Sequence, residues 1–128
     1  MAGVMVLAGC TTPQPEAPTQ PATWAFAPDE RIGPDTTQFT AMVTERGCAS
    51  GRSSDGRIVG PQVDYVDDTS VVVTFRVRPL EGAQECPGNP PLEVIVRLEE
   101  PLGDRALLDG GREPPVEPPV CANLESCE

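Results

Sequence analysis

From Val71 the chain alternates apolar and polar side chains: Val71, Val73, Phe75 and Val77 fall on one face, Val72, Thr74, Arg76 and Arg78 on the other. Successive side chains of a strand point to opposite sides, so this period of two predicts a strand with one buried face. The same period runs from Leu92 to Leu98, with Leu92, Val94, Val96 and Leu98 inward and Glu93, Ile95 and Arg97 outward. Gln38 to Arg46 sets Phe39, Ala41 and Val43 against Thr40, Met42 and Thr44. Ile58 to Tyr65 is less regular, because Gly60-Pro61 interrupts it. Proline has no N–H to donate, which suits an edge strand or a bulge. Arg105 to Leu108 predicts a short last strand after a turn at Pro101 to Asp104. Between these runs lie a glycine and serine loop at 47–56 and a turn at Asp67-Asp68-Thr69-Ser70, where Asp and Ser bond to their own backbone. No run carries a convincing helical period. The expectation is an all-β domain over 36–111, a small antiparallel sandwich or partly open barrel of about five strands.

The flanks read differently. Residues 1–9 are uncharged, apolar or small, and end directly at Cys10. Leu7-Ala8-Gly9-Cys10 resembles the lipobox of bacterial lipoprotein precursors, whose cysteine receives lipid on its thiol and becomes the N-terminus after cleavage. A stretch of this length is too short to span a bilayer, and small residues before the cut suit a narrow protease site. A signal peptide also opens with basic residues, and none precedes Arg31, so basic codons are expected upstream of Met1. Residues 1–9 are therefore expected to be a signal peptide, and 10–35 a lipidated cysteine followed by a tether.

Thr11 to Asp35 holds six prolines, Pro13, Pro15, Pro18, Pro21, Pro28 and Pro34. Proline fixes φ and pushes the preceding residue out of the helical region, so an extended spacer is expected. In polyproline geometry its 25 residues reach about 75 Å. Trp24 and Phe26 depart from this composition: two apart, they share one face of a strand. They either fold back and bury both rings, which is the expectation, or stand exposed to grip a partner. At the other end, 112–128 repeats Glu-Pro-Pro-Val in tandem (113–116 and 117–120) and predicts a solvated polyproline tail.

Charge narrows the function classes. The net charge is −11, and all nine basic residues are arginines scattered among carboxylates. Nucleic acid is excluded as a partner, since phosphate binding needs clustered basic side chains. Adhesion to anionic lipid is excluded for the same reason, leaving covalent lipid on Cys10 as the route to a membrane. There is no histidine, hence neither the usual general base nor the commonest metal ligand.

With Cys10 set apart, Cys48, Cys86, Cys121 and Cys127 remain, an even number that fits an oxidising compartment. Three connectivities are open; the expected one joins Cys48 to Cys86 and Cys121 to Cys127. Zinc is disfavoured because no C-x-x-C pair and no histidine are present. Asp64, Asp67 and Asp68, and Asp104 with Asp109, offer oxygen atoms to calcium, but neither set follows an EF-hand loop. Ser50, Ser53 and Ser54 are clustered nucleophiles with no base to activate them. No cofactor, metal site or catalytic residue is therefore expected.

The pieces Gly51-Arg52, Gly60-Pro61, Cys86-Pro87-Gly88-Asn89-Pro90, Glu100-Pro101-Leu102-Gly103-Asp104-Arg105 and Leu108-Asp109-Gly110 resemble small secreted lipoproteins of high-GC Gram-positive (actinobacterial) bacteria. The resemblance covers about half the chain, from Cys48 to Gly111, and implies an exported β-domain without implying an activity. The functional expectation is a non-enzymatic binding or structural module, lipid-anchored on the outer face of the cytoplasmic membrane, with an unidentified envelope partner. The alternative is an extracellular hydrolase working through paired carboxylates.

Overall fold

The computed structural model of the 128-residue chain describes Gly9, residues 18–124 and Cys127. It is all-β, with strands β1 Gln20–Phe26, β2 Gln38–Glu45, β3 Ile58–Val66, β4 Ser70–Val77, β5 Leu92–Arg97 and β6 Ala106–Asp109. Five of them form an antiparallel sheet in the order β3-β4-β1-β2-β5, curled into a half-barrel, while β6 lies parallel to β4. Among the described residues no helix is long and apolar enough to cross a membrane.

The alternation sets what the concave side buries. Val71, Val73, Phe75 and Val77 are fully buried, and Phe39, Ala41, Val43 and Val96 join them. Ala22, Trp24 and Phe26 from β1 complete this core. Trp24 stacks on Phe39 at 5.4 Å between ring centres, and Phe26 meets both rings edge-on at 5.1 and 5.6 Å. Such offset and edge-to-face pairs align ring edges with ring faces. The aromatic pair is thus core, as its spacing suggests.

Two expected boundaries move. The tether was expected to run to residue 35, yet β1 lies within it and sits at the centre of the sheet, between β4 and β2. Proline removes only its own N–H, and Ala22–Phe26 is proline-free, so five residues suffice to pair with β2. The segment 112–128 was expected to be solvated, yet Cys121 and Cys127 are buried. Residues without an N–H still offer a carbonyl: Pro119 O accepts from Phe26 N at 2.9 Å, and Cys121 N returns a bond to Phe26 O at 2.9 Å. The polyproline strap therefore pairs with the end of β1 through one carbonyl, Pro119 O, and one N–H, that of Cys121.

Gly60-Pro61 sits on the outermost strand, where the register of β3 against β4 shifts between Val59 and Gln62. Gly60 has φ 115°, a backbone that L side chains rarely adopt, and a Cβ there would meet Thr74 O. The expected bulge on an edge strand is present.

Candidate functional site

The sheet has two poles. At one stand Gln20, the end of β2, the start of β3 and the end of β4, since Gln20 and Ile58 both pair with Val77 and Ala22 pairs with Glu45. Two loops meet there. Cys48 bonds to Cys86 with Cα atoms 4.6 Å apart, and Ser50 N donates to Glu85 O at 2.8 Å. Closing that loop is worth about 4 kcal/mol in the chain-entropy model. Beside it, Arg57 grips Glu45 in a fork, with Nη2 to Oε1 at 2.7 Å and Nη1 to Oε2 at 2.9 Å. Its nitrogens also donate to Arg78 O and Ser53 O. The hydrogen bond to Glu45 raises the guanidinium pKa above its ordinary value, against partial burial, which lowers it. Asn89 Nδ2 donates to Glu45 O and Gly47 O, both at 2.6 Å, locking the second loop onto β2. These bonds tie loop to loop and loop to strand, and the pole reads as a stapled end.

The opposite pole holds a depression of about 230 Å³, lined by Phe26, Ile32, Leu102, Arg105, Ala106, Leu107, Glu117 and Pro118. It is small against the usual range for ligand sites. Its floor is apolar core; its polar rim is Arg105 and Glu117. Arg105 is already engaged: Nε donates to Leu102 O, Nη2 to Pro101 O and Nη1 to Glu100 Oε1, and the guanidinium lies 4.9 Å from the Tyr65 ring centre. The distinctive run from Glu100 to Arg105 is thereby a self-bonded turn. Glu117 is the one carboxylate in the lining.

Between the poles the sheet forks. β4 pairs with β1 through Phe75 to Val77 and with β6 through Ser70 to Val73, so β1 and β4 part after Ala22. Asp109 fills the gap. Its Oδ2 accepts from Trp24 N at 3.1 Å and its Oδ1 from Gly111 N at 2.8 Å, while Trp24 Nε1 donates to Val73 O at 2.8 Å. Gly110-Gly111 is required here, because a Cβ would collide with Thr74 at the first glycine and with the Ala22 carbonyl at the second. Burial pushes the Asp109 carboxyl above its ordinary 3.8, opposed by the bonds from Gly111 and Trp24 and by the charges of Arg112 and Arg46. Arg112 Nε stands 3.7 Å from Oδ2.

The candidate residues named from sequence are dispersed. Asp104 is exposed and Asp109 is at the fork, so they share no site. Asp67 Oδ1 accepts from Thr69 N and Oγ, which hold its carboxyl below the ordinary value. Asp64 accepts from Gln62 Nε2. Among the described residues no group of three or more Cys, Asp or Glu is placed to hold a metal ion. Ser50 donates to Gln84 Oε1 and accepts from Glu85 N, Ser53 caps Asp55 N, and Ser54 is buried without a partner for its hydroxyl. Cys121 bonds to Cys127 with Cα atoms 4.8 Å apart, and Cys10 lies outside the described residues. The Arg57–Glu45 fork and the Asp109 fork were not legible in sequence, because no short motif links their members: Arg57 lies 12 positions from Glu45 across a loop, and Asp109 lies 85 positions from Trp24. Comparison with protein-family models, with curated proteins and with solved structures finds no match.

Proposed function

We propose that this chain is an exported lipoprotein, held at the outer face of the cytoplasmic membrane by lipid on Cys10, whose β-domain is a non-enzymatic binding or structural module of the cell envelope. The observation that carries this reading is the use of the cysteines: Cys48 with Cys86 and Cys121 with Cys127 are paired, which leaves Cys10 over. Persistent disulfides belong to oxidising compartments, and the remaining thiol is the one that closes the Leu-Ala-Gly-Cys sequence. The kinship with actinobacterial lipoproteins belongs to the same proposal and rests on the turn sequences alone.

The fold also sets the geometry such an anchor would have. Nine residues separate Cys10 from Gln20, a span of at most about 35 Å when extended. Lipid on Cys10 would hold the stapled pole toward the membrane. The pole of Phe26, with its apolar depression, would face outward, about 20 Å away along β1. Partner contacts are then expected at the outer pole and along the sheet edges. The test is membrane fractionation of cells carrying the wild type or Cys10→Ala. The wild type is expected in the membrane fraction and released by detergent, and the variant in the soluble fraction. Unchanged attachment of Cys10→Ala would overturn the reading.

A further inference from the structure

The two outer edges of the sheet are built unlike each other. The β3 edge carries Pro61 and a register shift, two devices that prevent another strand from pairing with it. The β5 edge has neither. Its six residues contain no proline, its register against β2 is unbroken, and among the described residues it pairs with β2 alone. Tyr65 of β3 reaches only to the second residue beyond β5, its hydroxyl accepting from Glu99 N at 3.0 Å. A row of backbone donors and acceptors along β5 is thus left to solvent.

The side chains on this strand complement themselves. Glu93, Ile95 and Arg97 point outward, and Ile95 is 49% exposed, among the most exposed large apolar residues of the chain. Reversed end to end, Glu-Ile-Arg becomes Arg-Ile-Glu. An antiparallel pairing centred on Ile95 sets Glu93 of each copy opposite Arg97 of the other, and Ile95 against Ile95. On the opposite side of the strand, half-buried Leu92 and Val94 would meet Leu98 and Val96 of the second copy, extending the concave core. Among the described residues the three ion pairs involve neither Glu93 nor Arg97. Arg97 spends only Nε, on Gln38 at 3.3 Å.

We propose that the occupant of this edge is a second copy of the same chain, paired β5 to β5 about a two-fold axis through Ile95. The interface is isologous and therefore closes at two copies. The pairing does not depend on lipid at Cys10, so its failure leaves the anchoring proposal standing, and the reverse holds. Each copy carries a charge of −11, so the pairing is measured near physiological salt, where the screening length is about 8 Å.

The test is sedimentation velocity of the full-length chain, with Cys10→Ser to exclude lipid and stray thiol, from micromolar to millimolar concentration. The expected result is a concentration-dependent monomer–dimer equilibrium. Glu93→Arg alone and Arg97→Glu alone each place like charges opposite one another and weaken association about tenfold or more. Mixing those two variants restores it, because every position then faces its opposite charge. Ile95→Lys is an independent disruption. All three positions are exposed, so the melting temperature of the monomer is expected to hold and reports that each variant is folded. Three results would overturn the proposal: a wild type monomeric throughout, charge reversals that associate as well as the wild type, or a mixture that fails to pair while the wild type dimerises.

Discussion

The central strands β1 and β2 are covered on both sides, but by different means. Their concave side meets a core of thirteen buried residues among those described, contributed by β1, β2, β4, β5 and β6 together with Leu98 and Leu102. Their convex side meets a four-residue cluster in which Ala25 and Met42 lie against Cys121 and Cys127. Thr44 Oγ donates to Cys127 O at 3.2 Å across the same contact. The first side is made by periodic sequence. The second is made by a proline-rich strap that ends in Cys121 and Cys127, joined by a disulfide. A domain of this size has little apolar surface to bury, and a covalent staple helps to hold the cover of this sheet face.

The largest expected effect lies on the concave side. Trp24→Ala removes the largest buried side chain, two ring contacts and the indole bond to Val73 O. Urea denaturation is expected to show a loss of about 5 kcal/mol, the upper end for an aromatic truncation. For a small domain that is enough to abolish folding.

On the convex side the expectation is smaller and different in kind. Replacing Cys121 and Cys127 together by Ala opens a ring whose closure entropy is worth about 2 kcal/mol. Because the ring also covers Met42, hydrogen exchange in β2 should accelerate along with the fall in melting temperature. If the strap were merely a solvated tail, stability and exchange in β2 would both be unchanged.

That contrast explains what could be read from sequence. β4 announces itself most clearly, because a half-buried strand must alternate and its alternating apolar positions are the ones buried. β2 and β5 alternate in sequence too, although β2 is buried on both faces from Ala41 on, and β3, the irregular run, has no fully buried position. β1 was hidden by Pro21 and the prolines that flank it, Pro18 and Pro28, although Trp24 and Phe26 betrayed it through their spacing. The strap was legible only in part: the Cys121–Cys127 bond was expected, but the carbonyl oxygens by which the proline-rich segment packs onto the sheet leave no periodic trace. The same holds for the fork, where Asp109 looks like any turn aspartate until Trp24, distant in the chain, is seen to donate to it.

The smallest effect sharpens the seam between the two sides. Asp109 has a folded-state pKa above its ordinary value, so the folded chain keeps a proton that the unfolded chain has released. Its contribution is fully present below the unfolded pKa, near 3.8, and is lost as pH rises through the raised folded pKa. Asp67 is shifted the other way, but its slope is common to both proteins when wild type is compared with Asp109→Asn. The stability advantage of the wild type over that variant is expected to grow as pH falls through this window. A constant difference would show that the fork does not titrate.

The central claim is that four cysteines staple an exported domain and the fifth anchors it. Intact-mass spectrometry of the protein purified from the envelope of its native cells tests this most directly. The account predicts a chain beginning at Cys10, heavier than its sequence by a lipid group on that residue, and lighter by the four hydrogens of two disulfides. A chain that retains residues 1–9, carries no lipid and has its thiols reduced would contradict it.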